Sequence, residues 1–422
     1  MCDHGGRISR ELSVYYAAMD PSTPFDSVPR RAGTDTYKWD YRPRNARGRD
    51  VLPMWVADMD FACPDPVIDA LRRRVDHAVF GYTYASDAYR ESFVSWQRRR
   101  HAWTVDPATL VFAPGVMPAV RSAIIGLTDP GDQVVIQPPV YYPFFDAIVD
   151  NGRTLVENPL VQVDGRYQMD LDHLESVISP RTRMLLLCSP HNPVGRVWTR
   201  AELERFADIA VRHDLIVVSD EIHADIRRAG VEFTPMVDVG PDIARRTIAC
   251  HAPSKTFNIA GLPSAHVVIP DSQLRSRFER TLDRLGFGLA SPLALVASRA
   301  AYDSCESWVD SLNGFFDAQF DRLVREAAAL GVPIVRPEGT YLGWLDFRPI
   351  QKATGADDEA TRRALFEEGG LWLSEGRQFG SQGSGFQRIN IATSRALFDD
   401  AIGRLGQAVA ALTATRDAGA RQ

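Results

Sequence analysis

Five short apolar runs place the strongest limit on what this chain can fold into. They are "QVVIQ" (133–137), "RMLLLCS" (183–189), "LIVVSD" (215–220), "RTIACHA" (246–252) and "HVVIP" (266–270). They are rich in branched aliphatic residues and lack strict polar alternation, the pattern of strands covered on both faces. Amphipathic stretches with helical spacing separate most of them. One, "TRAELERFADIAVRHD" (199–214), opens with a capping pair, Thr199 and Glu202. Strand–helix alternation predicts a mostly parallel sheet with helices on both faces, a three-layer α/β/α domain. After about residue 300 the pattern changes to long helices followed by isolated strands ("GTYLGWLDF", "QRINIATS"), which predicts a smaller α+β domain at the C-terminal end. The expected organisation is a partly disordered N-terminal arm over 1–30, and a segment over 31–75 that completes the small domain and the active site. A large domain over 76–300 and a small one over 301–422 follow.

Composition excludes several functions. The net charge of −6 argues against a general nucleic-acid binder. No apolar run approaches the roughly 20 residues of a membrane helix, and the N-terminal stretch lacks the apolar core of a signal peptide. The five cysteines are widely spaced without a CxxC pair, so neither a disulfide framework nor a zinc site is expected. These features predict a soluble, cytoplasmic protein with reduced thiols, no membrane partner and no nucleic-acid partner.

In an open parallel sheet, ligands bind beyond the carboxyl ends of the strands, and this chain concentrates chemistry there. "SPHNPVG" (189–195) brings Asn192, "SDEIHADI" (219–226) brings Asp220 and Glu221, and "HAPSKTFN" (251–258) brings Lys255. Singly, each has an ordinary reading: a turn amide, helix-capping acids, a surface lysine whose stem lies on apolar neighbours. Their convergence on one sheet edge is less ordinary. Gly115 precedes an apolar helical run, so free N–H groups and a positive dipole end form a phosphate seat. "PPVYYPF" (138–144) adds tyrosines just after a strand, which could equally be core. A phosphate seat, an aromatic platform, a carboxylate, an amide and an isolated lysine together match the needs of pyridoxal 5'-phosphate.

These motifs, with the late "RINIA", occur in the order of the fold-type I pyridoxal-phosphate enzymes. Over residues 30–410 the chain resembles the class I/II aminotransferase superfamily. The resemblance implies that Lys255 carries the cofactor and that Asp220 pairs with its ring nitrogen. It also implies that Asn192 bonds the 3-oxygen, Tyr141 stacks on the ring, and Ser254 with Val116 and Met117 holds the phosphate. Arg388 would grip the substrate α-carboxylate, with Ala57 beside it. Two positions depart from ordinary transaminases: His223 stands where a tyrosine is usual, and Pro263 where an arginine is. "KWD", "MWVADMDF" and "FGY" further resemble the MalY/PatB-type cystathionine β-lyases, or C–S lyases. That subgroup implies α,β-elimination, a homodimer with shared active sites, and Tyr82 reaching the phosphate of the neighbouring subunit. A class I/II aminotransferase acting on an L-amino acid is the alternative. Regulatory relatives carry a DNA-binding domain of roughly 60 or more residues, which the arm of about 30 residues is not expected to supply.

Overall fold

The computed structural model describes residues 25–41, 44, 45, 48 and 50–419. Seven strands form the central sheet: β1 (Leu110–Ala113), β2 (Gln133–Ile136), β3 (Thr154–Glu157), β4 (Thr182–Cys188), β5 (Ile216–Asp220), β6 (Thr247–His251) and β7 (Ala265–Val268). Their order across the sheet is β1-β7-β6-β5-β4-β2-β3. Pairings from β6 through to β3 are parallel, and β7 runs antiparallel to both β6 and β1. The expected three-layer, mostly parallel sheet is therefore present.

Burial on both faces explains the missing polar alternation. Met184, Leu186 and Cys188 of β4 enter one apolar cluster, whereas Leu185 and Leu187 enter another on the opposite face. Four helices of this region matter to the site: α1 (Asp87–His101), α2 (Val116–Leu127), α3 (Arg200–Arg212) and the single turn α4 (Pro253–Thr256). Helix α3 begins with the expected capping box of Thr199 and Glu202. Helix α5 (Ser272–Arg284) packs against α2.

The C-terminal part is built on α6 (Glu306–Ala329), α7 (Arg395–Gly419) and an antiparallel three-stranded sheet. Its strands are β8 (Leu342–Asp346), β9 (Ser374–Glu375) and β10 (Phe386–Asn390), in the order β8-β10-β9. A two-residue pairing of Leu52–Pro53 with Leu371–Trp372 ties the N-terminal segment to this part.

Much of the expected disordered arm, residues 1–24, lies outside the described residues. Its end is packed: Phe25 is buried against Phe61, Trp308 and Phe315. No described helix is long and apolar enough to cross a membrane.

Candidate active site

The register of the sheet builds the site. Cys188, Asp220 and Cys250 lie level on β4, β5 and β6, so the loops after three adjacent strands leave the sheet at one edge. A cavity of about 190 Å³ opens there. Val116, Met117, Tyr141, Asn192, Asp220, His223, Lys255, Arg388 and Ala57 all line it. Ser254 sits one residue from Lys255 in α4 but is not part of the lining, and Tyr82 lies outside, 95% exposed. Glu221 turns away from the cavity, accepting from the Ser219 hydroxyl (2.7 Å) and from Met236 N (2.9 Å). Pro263 is also absent from the lining.

Three ionisable groups in this cavity, Asp220, Lys255 and Arg388, form no direct ion pair among the described residues. Asp220 is buried, accepts from Ile222 N at 3.1 Å and has no ion-pair partner; burial raises its carboxyl to about 6. Burial lowers Arg388 to about 10. Its donors reach only neutral oxygens: Asn192 Oδ1 (3.0 Å), Trp55 O (2.7 Å) and Ser374 Oγ (3.1 Å). Burial lowers the Lys255 amine to about 8, opposed by the charges of Asp58 and Asp220 and helped by Arg388. Its Nζ donates to Ala57 O at 2.5 Å. His223 is buried and lowered to about 3, by burial first and then by Lys255 and Arg388, so its imidazole is neutral at physiological pH. A cation beside Asp220 and a carboxylate beside Arg388 would each relieve a buried charge.

The helix that the sequence places after Gly115 is present. Gly115 caps α2 at φ +136°, a backbone conformation that side-chain-bearing residues rarely adopt. The first-turn N–H groups of α2 have no intrahelical acceptor, and Val116 and Met117 present that end of the helix to the cavity. Asn192 commits Oδ1 to Arg388, which leaves its Nδ2 hydrogens to donate elsewhere.

Several residues hold these groups in place without having been singled out in the sequence. Tyr341 donates its hydroxyl to Ala57 O (2.9 Å), and Asn390 Nδ2 donates to Val56 O and Asp58 O (both 2.6 Å). Asn258, at φ +54°, bridges Met59 and Phe61 backbone groups. Thr256, next to Lys255, donates to Asp225 (2.8 Å), which also binds Trp96 and His101 of α1 (both 2.9 Å). Asn258 and Asn390 lay inside quoted motifs, yet a sequence does not tell which asparagine closes a tertiary bridge.

The N-terminal motifs form a buried latch. Asp60 receives Lys38 Nζ (2.9 Å), Trp39 Nε1 (2.8 Å) and Arg31 Nη1 (2.9 Å), while Asp58 pairs with Arg31 at 2.7 Å. Burial alone would raise the Asp60 carboxyl, but Lys38 and Arg31 more than offset it and hold it below the ordinary range. This latch fixes the segment whose carbonyls at 55 and 57 receive Arg388 and Lys255. Asp60→Ala leaves the fully buried Lys38 with only the longer carboxylate contact, to Asp58 (3.8 Å), and is expected to cost about 3 kcal/mol; urea unfolding checks it, and a loss below about 1 kcal/mol would contradict the account.

Comparison with known proteins agrees with this geometry. Residues 49–405 match the family model described as aminotransferase class I and II, and the chain belongs to that family. It is 38% identical over 392 residues to cystathionine beta-lyase PatB of Bacillus subtilis, covering 91% of this chain and 99% of that one. It is 35% identical over 397 residues to protein MalY of Escherichia coli, covering 92% and 99%. The PLP-bound C–S lyase from Staphylococcus hominis superposes with a TM-score of 0.85 at 31% identity, covering 92% and 99%.

Proposed function

We propose that the chain is a pyridoxal-phosphate-dependent carbon–sulfur β-lyase. It converts cystathionine, or another cysteine S-conjugate, and water to a free thiol, pyruvate and ammonium. The observation that carries this reading is the set of three unmatched groups, Lys255, Asp220 and Arg388, in one cavity of a chain that spans nearly the full length of relatives named as lyases. The residues fit the cofactor: an aldehyde for Lys255, a pyridinium nitrogen for Asp220, and a phosphate for the start of α2.

When bound, pyridoxal phosphate supplies an acceptor for the electron pair left at the substrate Cα. The protein's own groups do the rest. Asp220, as carboxylate, would hold a proton on the ring nitrogen. Asn192 Nδ2 would donate to the 3-oxygen, and the Tyr141 ring would serve as the platform for the pyridine. Val116 and Met117 at the start of α2 would hold the phosphate, with Ser254 of the neighbouring turn α4 as a further donor, and His223 would stay neutral there. Arg388 takes the α-carboxylate. Lys255 Nζ, oriented by Ala57 O, removes the Cα proton. The Cβ–S bond then breaks, and the sulfur leaves as a thiolate that needs little acid assistance.

We also propose a cytoplasmic homodimer with shared sites. Four exposed apolar side chains support it: Val79, Phe80, Tyr82 and Tyr84 lie in one short stretch. A Tyr82→Ala variant should lose cofactor faster on dialysis, and sedimentation should give twice the chain mass; a monomer would refute the shared site.

The decisive experiment omits any keto acid. With cystathionine or an S-alkyl cysteine, thiol and pyruvate should appear in equal amounts, whereas an absolute need for a keto-acid acceptor would identify an aminotransferase. Because Lys255 must be neutral to accept a proton, and burial lowers its amine, kcat should rise with pH to a plateau below the ordinary lysine range. A flat profile from pH 6 to 9 would exclude this base. Arg388→Ala should raise KM by about 30-fold or more, since losing a buried charge pair costs about 2–5 kcal/mol, while the bound-cofactor spectrum persists.

A further inference from the structure

We propose that the cavity selects amino acids whose side chain ends in a flat, uncharged and preferably aromatic group, and disfavours a second amino-acid terminus such as that of cystathionine. For substrates, this rests on the lyase reading above. Tyr37 and Trp55 line the cavity on the side of the N-terminal segment, and Tyr142 lines it as well. The two belong to a continuous aromatic wall. Tyr41 stacks on Tyr37 with centroids 5.2 Å apart and planes 9° apart, Tyr37 meets Trp55 at 5.2 Å, and Trp55 stacks on Trp372 at 4.4 Å. The outer part faces solvent, with Tyr37 61% and Tyr41 68% exposed. Four contiguous rings running from the cavity to the surface offer π-faces to whatever the substrate carries beyond its sulfur.

Charge points the same way. Among the described lining residues the only permanent cation candidates are Lys255 and Arg388, both assigned to the reacting end of the substrate. His223 is neutral. In the N-terminal segment, Arg31 and Lys38 are already held by Asp58 and Asp60. A second carboxylate reaching this wall would meet π-faces and no described lining cation left to pair with it. An aromatic substituent would gain a ring contact worth about two- to tenfold in affinity.

The test compares S-benzylcysteine, S-methylcysteine and cystathionine on the holoenzyme, scoring thiol and pyruvate. S-benzylcysteine should have a kcat/KM about tenfold or more above that of cystathionine. Tyr37→Ala, at an exposed position, should lower the ratio of S-benzyl to S-methyl turnover by about two- to tenfold through KM, and Tyr37→Phe should restore it. A cystathionine preference, or an unmoved ratio in folded Tyr37→Ala, overturns the proposal. Binding of homophenylalanine and norvaline, which have no sulfur to expel, separates the two readings. If no conjugate releases thiol, the lyase reading fails. In that case homophenylalanine binding at least several-fold tighter than norvaline, weakened by Tyr37→Ala, still supports the aromatic wall, and equal binding refutes it.

Discussion

Lys255→Ala is expected to lower thiol release from S-alkyl cysteines by about 10⁴-fold. One positioned proton-transfer group is worth roughly 10²–10⁴-fold, and Lys255 is assigned two duties, attachment and proton removal. Its surroundings support both. Burial and the charge of Arg388 lower its amine to about 8, so a substantial neutral fraction exists near physiological pH. Ala57 O, fixed in turn by the Tyr341 hydroxyl, aims the nitrogen. The measurement is single-turnover thiol release with the variant and its cofactor content after gel filtration. Borohydride reduction of the native protein should leave the label on the peptide containing Lys255. A label on another lysine, or a variant within tenfold of native turnover, would remove Lys255 from the mechanism.

Asp220→Asn is expected to reduce turnover by about 10²–10³-fold, the usual result of removing one preorganised electrostatic group from a site. The variant keeps the volume and the contact to Ile222 N but cannot carry negative charge. It also gives a readout independent of catalysis. In the cofactor-free protein the Asp220 carboxyl is raised from 3.8 to about 6 by burial. Between those values the folded state holds a proton that the unfolded state has released. Stability contributed by this group should therefore fall as pH rises from about 4 to 6, by on the order of 3 kcal/mol. Asp220→Asn should abolish that slope. An unchanged pH dependence of urea unfolding would mean that Asp220 is already compensated in the folded chain.

Much of the sheet was legible because both-face burial removes polar alternation, and β2, β4, β5, β6 and β7 each coincide with an apolar run to within one or two residues. Strands β1 and β3 were not. They are the two edge strands of the sheet, and β3 is only partly buried, so it carries no apolar run like those of the inner strands. The antiparallel direction of β7 was equally hidden, since strand direction depends on the path of the connecting chain and leaves no local mark. At the site, Asn192, Asp220 and Lys255 were legible because each follows a strand end. Asp225 and Tyr341 were not, because a buried tyrosine or aspartate in sequence resembles any core or capping residue.

The sequence by itself determined the α/β layering, the reactive residue types and their placement after β4, β5 and β6, because those follow from local periodicity and chain order. Only the tertiary structure decided which groups meet. The motifs "KWD" and "MWVADMDF" read as marks of resemblance alone. In the fold they become a buried latch of Lys38, Trp39 and Asp60 that holds two backbone carbonyls against Lys255 and Arg388. The altered proton affinities of Asp220, Lys255 and Arg388 likewise exist only once packing has stripped water from them. Desolvation and long-range hydrogen bonding depend on distances between residues up to hundreds of positions apart, and no local pattern encodes those distances.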